Sequence, residues 1–177
     1  TSVTEYRNMG YLPEAVVNYL ALLGWTPKGE QEIFTEEELI KQFSMKRVSS
    51  NDAVFDINKL NWINFQYMKK MDADQLYDLI VPFLVKAGYV DAAVSEEKKD
   101  WLKKVIWFMK DHIYFAGQAA EELKFFFEDM PALTDEDVLA IMKAETSGKL
   151  LKAFIEDLKA LETFDQAEIK KCFNACM

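Results

Sequence analysis

The chain has 177 residues, 50% hydrophobic and 29% charged, with a formal net charge of −9. That composition is ordinary for a soluble globular protein with one good core or two small ones, and it excludes a disordered tail. Its longest apolar runs, such as Val16 to Leu23, are interrupted by Asn18 and fall far short of the roughly 20 residues a membrane span needs. The start, Thr1-Ser2-Val3-Thr4-Glu5-Tyr6, has neither the basic head nor the apolar stretch of a secretory signal, so a cytoplasmic location is expected.

Helix signals recur along almost the whole chain. Ser2 or Thr4 can cap a first short helix ending at Gly10, and Pro13 suits the first position of a second that stops at Gly24. Thr35 followed by Glu38 is a capping box, predicting a helix that turns Leu39, Ile40 and Phe43 inward. Short extended pieces are expected at Glu32-Ile33-Phe34 and Ala53-Val54-Phe55. Asp56 then caps a helix with Leu60, Ile63 and Tyr67 on one stripe.

Asp72 starts a further helix with Leu76, Leu79, Ile80 and Phe83 on one face, ending at Gly88, and Pro82 inside it predicts a kink or a tight corner. Ser95 lacks the partner acid of a capping box at Lys98, but Glu96 and Glu97 suit the first turn of a helix reaching Met109. In that helix Val105, Phe108 and Met109 are expected to pack inward. Further helices are expected over about 116–129, 134–143, 146–161 and 165–176, separated by Met130-Pro131 and Ser147-Gly148. The fold class read from this pattern is all-α.

Several chemistries find no support. There is no His-x-Gly-His signature, no Lys-Met-Ser-Lys-Ser-like loop, no G-x-x-x-x-G-K-[ST] phosphate loop and no G-x-G-x-x-G turn. With six glycines in all, a backbone cradle for phosphates has little to be built from. Cys172 and Cys176 stand four apart near the end of a predicted helix, but a metal site needs more ligands and the single histidine, His112, is remote in sequence. They read as small apolar residues in a reduced helix.

Charge is unevenly distributed. Between Lys41 and Lys70 six basic residues face two acids, a balance of +4, whereas between Glu121 and Glu145 eight acids face two lysines, a balance of −6. A protein gripping RNA at selected places needs local basic patches and can be acidic elsewhere. The plainer reading is that both runs are solvated helix faces.

Three segments carry a family resemblance: Gly10-Tyr11-Leu12-Pro13-Glu14-Ala15, Asn18-Tyr19-Leu20-Ala21-Leu22-Leu23-Gly24-Trp25, and Val54-Phe55-Asp56-Ile57-Asn58-Lys59-Leu60-Asn61-Trp62-Ile63-Asn64. In order and spacing they resemble the glutamyl-tRNA synthetase family, whose corresponding segment follows the second ATP-binding signature of the class I catalytic domain and packs along the inside of the tRNA. Past residue ~90 the resemblance thins to isolated matches such as Phe125-Phe126-Phe127-Glu128-Asp129. It implies a stem-contact helical module over residues 1–71 and an anticodon-binding helical bundle over 72–177, incomplete at its C-terminal end. On this reading the chain is a fragment at both ends of a glutamate–tRNA ligase. The parent uses ATP and Mg, the fragment alone holds no cofactor and is inactive, and its partner is tRNA(Glu), with tRNA(Gln) as the alternative. DNA and membrane partners are not expected, and a monomer is.

The resemblance also names contacts. An Arg-Val-Ser step and a Lys-Leu-x-Trp helix meet the tRNA in that family, and here they read Arg47-Val48-Ser49 and Lys59-Leu60-Asn61-Trp62. Arg47 brings a bidentate fork for phosphate, and the Ser49 hydroxyl can donate to a phosphate or ribose oxygen. Trp62 is open to two readings, core packing or an indole presented to RNA. Gln66 and Lys69 extend the same face. Where discriminating relatives place a Met-x-x-Arg step against the third anticodon base, this chain has Met109-Lys110-Asp111-His112. Lys110 and His112 are thus the anticodon-side candidates, and a histidine lacks the guanidinium fork that strict discrimination would use. His112 can equally be an exposed or capping residue at a helix end. The alternative to an RNA role altogether is a helical protein-interaction module that buries a partner helix on Trp101, Trp107, Phe125 and Phe127.

Overall fold

The computed structural model describes residues 2–49, 53–129, 134–163 and 165–176. Among them it contains ten α-helices, four 3-10 turns and no strand, so the fold is all-α as the sequence pattern predicts. The chain divides into two compact units, Thr1–Asp129 and Met130–Met177.

In the first unit, local capping chemistry sets the helix starts. Ser2 and Glu5 form a reciprocal capping box for α1 (Val3–Met9), which closes on Gly10 at φ 87, in the left-handed region that favours glycine. Pro13 opens α2 (Pro13–Gly24). The Thr35–Glu38 box opens α3 (Glu36–Gln42), and the Thr35 backbone N–H holds the Glu38 carboxyl below its ordinary range. Asp56 accepts from the Asn58 and Lys59 amides to start α4 (Ile57–Met68). Asp72 is paired reciprocally with Gln75 at α5 (Ala73–Lys86), Ser95 caps α6 (Glu96–Met109), and the short α7 (Ala119–Glu122) follows.

The core lies where α2 packs on α4 and α5 on α6. Leu60, Ile63, Leu76, Ile80, Leu102 and Ile106 belong to one buried cluster, so residues on either side of position 71 share a single core. Trp25, Phe34 and Leu39 form a small second cluster. Two asparagines are buried with these apolar side chains, Asn18 and Asn64. Asn18 accepts from the Phe34 amide and the Tyr67 hydroxyl and donates to the Glu32 carbonyl. The 32–34 segment is therefore held by a side chain instead of a neighbouring strand.

Several expectations need correction. Leu39 turns inward, but Ile40 is 74% exposed, and Phe43 is the residue capping α3, outside helical geometry, so helical spacing does not reach it. Phe108 is 70% exposed, because the inward stripe of α6 runs through Leu102, Val105, Ile106 and Met109. At roughly 100° per residue Phe108 falls well outside that stripe. Helix α5 runs through Pro82 without a corner, with the proline on its exposed side. The stretch 116–129 is not one helix but 3-10 turns at Ala116–Gln118 and Lys124–Phe126 around α7. Its side chains serve different partners: Phe127 stacks on Tyr89 at 5.0 Å, while Gly117 lies so close to the Met9 carbonyl that a Cβ would collide with it. The pieces at 32–34 and 53–55, expected to be extended, are non-helical and join no sheet; among the described residues the sole bridge is between Trp25 and Val48.

The second unit holds α8 (Glu136–Lys143), capped by Asp135, then α9 (Glu145–Lys159) and α10 (Gln166–Cys176). Phe154 meets Phe173 edge-on at 5.9 Å. None of the described residues of this unit is fully buried. Cys172 is a half-buried free thiol, and the Cys176 side chain lies outside the described residues. No described helix is long and apolar enough to cross a membrane.

Candidate nucleic-acid interface

Helix α4 has two unlike faces. Leu60, Ile63, Asn64 and Met68 are buried, while Lys59, Trp62, Phe65, Gln66 and Lys69 lie on the other side, half-buried or exposed. The spacing explains this, since positions 60, 63, 64 and 68 recur at helical period. Trp62 is 38% exposed, so it is not a core tryptophan. The Lys59 ammonium sits 4.4 Å from the Trp62 ring centre and pairs with Glu32 at 2.6 Å. That acid lies outside the 41–70 window, so part of the local positive balance is neutralised by a residue distant in sequence. Lys69 follows the last turn of α4, exposed, with its ammonium 5.4 Å from the Phe65 ring.

Arg47 turns inward. It ends the 3-10 turn Met45–Arg47, its guanidinium lies 5.1 Å from the Trp25 ring, and one of its nitrogens donates to the Gln42 carbonyl. Another of its nitrogens is buried without a hydrogen-bond partner. The fork is thus directed into the protein, where it ties the turn to Trp25, instead of outward as a phosphate contact requires. The Ser49 amide donates to the Gly24 carbonyl at 2.7 Å, which holds this residue at the surface beside the end of α2.

Lys110 and His112 form a 3-10 turn directly after α6, anchored by the fully buried Ile113. The Lys110 ammonium lies 3.2 Å from the Trp107 ring centre, and Trp107 is 43% exposed. His112 is exposed. The α4 residues are thereby gathered on one face, and Lys110 and His112 on one turn.

Polar side chains to which the sequence pattern assigned no site role hold these pieces together. Asn64 accepts from the Leu12 amide at 2.8 Å and donates to the Tyr114 carbonyl at 2.6 Å, linking the start of α2, α4 and the turn after α6. The single Tyr67 hydroxyl proton is shared between two acceptors, the Asn18 side-chain oxygen and the Phe34 carbonyl. Burial, reinforced by Glu14 and Glu38, pushes its hydroxyl pKa up to about 12. Burial does the same to Tyr11, whose hydroxyl bonds Asn61. The available signal was an asparagine inside an apolar helical stripe, which is costly unless both ends of the amide are paired. A groove of about 700 Å³ beside Trp25 is lined by Glu30, Glu32 and Asp56, with Lys59 as the one cation among its described lining residues. Its charge is unsuited to an anionic ligand. Among the described residues no cluster of His, Cys, Asp or Glu has the makings of a metal site.

Known proteins match this arrangement. Residues 1–62 match the family model of class I tRNA synthetases (E and Q), catalytic domain, and residues 75–177 match the anticodon binding domain. Two similar solved structures are a glutamate tRNA ligase from Elizabethkingia meningosepticum in complex with its amino acid, at 30% identity and TM-score 0.76, and a glutamate-tRNA synthetase from Elizabethkingia anophelis, at 30% and 0.74. Each alignment covers 97% of this chain and 32% of the other. The chain therefore spans about a third of the length of the structures it matches. With an anticodon-binding model over most of its length and a class I segment ahead of it, the chain belongs to the glutamyl-tRNA synthetase family.

Proposed function

We propose that this chain is the tRNA-binding part of a cytoplasmic glutamate–tRNA ligase, which joins glutamate to tRNA(Glu) at the expense of ATP. Residues 1–71 contact the inner body of the tRNA and 72–177 its anticodon side. The observation that carries this reading is the exposed face of α4, where Lys59, Trp62, Gln66 and Lys69 follow one another at helical spacing opposite the buried stripe. Cations and flat aromatic faces on one rigid helix suit an RNA backbone and its bases. Ser49, at the surface beside the end of α2, is a further contact on this reading. Arg47 supports it by holding its turn, and reaches a phosphate only by leaving Trp25. Lys110 and His112 contact the anticodon side. His112 donates one hydrogen bond per protonated ring nitrogen, so it reads a base edge less exactingly than an arginine would, and tRNA(Gln) is the expected competitor.

ATP and Mg do not fit this chain's own residues. The sequence has no phosphate loop and few glycines, the acid-lined groove beside Trp25 repels phosphates, and among the described residues no acidic cluster is arranged to hold the cation. Adenylate formation accordingly rests with the remainder of the ligase. The chain alone is expected to give no ATP–pyrophosphate exchange with glutamate.

Filter binding of tRNA(Glu) at low and moderate salt tests the reading. The monomeric chain should bind, with affinity falling as salt rises, and Lys69→Ala should reduce the salt slope by about one. Arg47→Ala should weaken binding and also lower the melting temperature, because it removes the Trp25 contact. Absence of binding at low salt would refute the proposal. The competing protein-interaction reading loses two of its four aromatics, since Trp101 and Phe127 pack edge-on against each other at 5.7 Å.

A further inference from the structure

We infer that Tyr114, with Phe65 and Lys69 beside it, is a stacking site for a base or ribose of the bound tRNA; this rests on the tRNA-binding reading above. Tyr114 lies in no helix, between the turn ending at His112 and the turn beginning at Ala116. Both of its neighbours are anchored inward, Ile113 by complete burial and Phe115 by stacking on Tyr11 at 4.7 Å. Tyr114 itself is 40% exposed.

Its backbone is held at both ends by side chains. The Tyr114 amide donates to the Gln118 side-chain oxygen at 2.9 Å, and the Tyr114 carbonyl accepts from Asn64 at 2.6 Å. Gln118 in turn donates to Glu122 at 2.9 Å, and Asn64 is itself fully buried. An irregular segment whose backbone is clamped in this way presents its one outward ring in a fixed position. A loop tyrosine needed only for the core would bury that ring.

The surroundings fit RNA. The Phe65 ring lies 5.4 Å from Tyr114 at 51°, and the Lys69 ammonium lies 5.4 Å from Phe65. Phe65 in α4 and Lys69, the residue capping its end, are four apart and on the same side as Trp62. Lys69 makes no ion pair among the described residues, unlike Lys59. Its charge is therefore available to a phosphate next to the ring pair. Two adjoining aromatics with one unpaired cation form a platform on which a base or ribose stacks while its phosphate is neutralised.

The test is tRNA(Glu) binding by the whole chain across a salt series, with melting temperatures measured in parallel. Tyr114→Ala is expected to weaken binding about tenfold with an unchanged salt slope, because stacking releases no counterions. Tyr114→Phe should bind like the wild type, and Lys69→Ala should flatten the slope. If Tyr114→Ala melts early, hydroxyl-radical footprinting of the wild type replaces it, with Tyr114 expected to be protected by saturating tRNA. Wild-type binding together with an unaltered Tyr114→Ala, an equal loss in Tyr114→Phe, or an unprotected Tyr114 would overturn the stacking site and leave the tRNA reading standing. No binding by the wild type would take both down.

Discussion

The described residues of the two units are in both cases helical and amphipathic, yet they differ in what their apolar stripes achieve. On α6, Leu102 and Ile106 are fully buried against a core shared with α5. On α9, a helix of similar length, Leu150 is 43% and Ile155 47% exposed. The reason is surface-to-volume ratio. Helices α2, α4, α5, α6 and α7 contribute to one core and enclose its side chains completely, whereas the three described helices of a unit of under 50 residues leave each stripe partly facing water. Secondary-structure propensity is thus satisfied equally in the two regions, and tertiary stabilisation is not.

Side-chain truncation should break or sharpen this contrast most strongly. Ile80→Ala, at a site with no exposed surface, is expected to cost about 2–5 kcal/mol in urea unfolding. Ile155→Ala should cost less than about 1 kcal/mol, since much of that side chain is already in water. Similar losses at both sites would mean that the second unit has a core of its own.

Glycine substitutions should have opposite signs in the two regions. Gly117→Ala drives a Cβ into the Met9 carbonyl and should destabilise by about 1–3 kcal/mol. Gly148 lies in α9, and a Cβ there would meet nothing within 4 Å. At that position alanine should stabilise by about 0.5–1 kcal/mol by lowering backbone entropy in the unfolded chain. Thermal melting of the two variants reads both signs.

A separate, alkaline effect is confined to the first region, where all seven tyrosines lie. Tyr11 and Tyr67 have folded-state hydroxyl pKa values raised from 10.0 to about 12. A raised pKa contributes stability that is fully present below the unfolded value near 10 and is lost as pH rises through the folded value near 12. Melting temperature should therefore be insensitive to these groups up to about pH 9 and fall between pH 10 and 12. Tyr67→Phe should start from a lower stability and show a shallower alkaline fall; an identical slope would remove Tyr67 from the effect.

Which features were legible in the chain follows from how local their causes are. Ser2, Pro13, Thr35, Asp56, Asp72 and Ser95 act within three residues, and each begins a helix where the pattern predicts one. Ile40 and Phe108 were misplaced because an apolar side chain does not state which face its helix will bury. The inward turn of Arg47 depends on Trp25, and the neutralisation of Lys59 on Glu32. Of the candidate site, the face of α4 was readable from period and composition. Tyr114 was not, because its position depends on Asn64, 50 residues earlier in the chain.

By itself the sequence determined the all-helical class, most helix starts, the family, and the basic balance between Lys41 and Lys70. Those depend on short-range hydrogen bonding, period and residue order. Only the tertiary structure decided which cations remain unpaired, that Trp62 is exposed while Arg47 turns inward, and that two buried asparagines hold loops against helices. Each of these is a contact between residues far apart along the chain, and a one-dimensional pattern contains no distance between them.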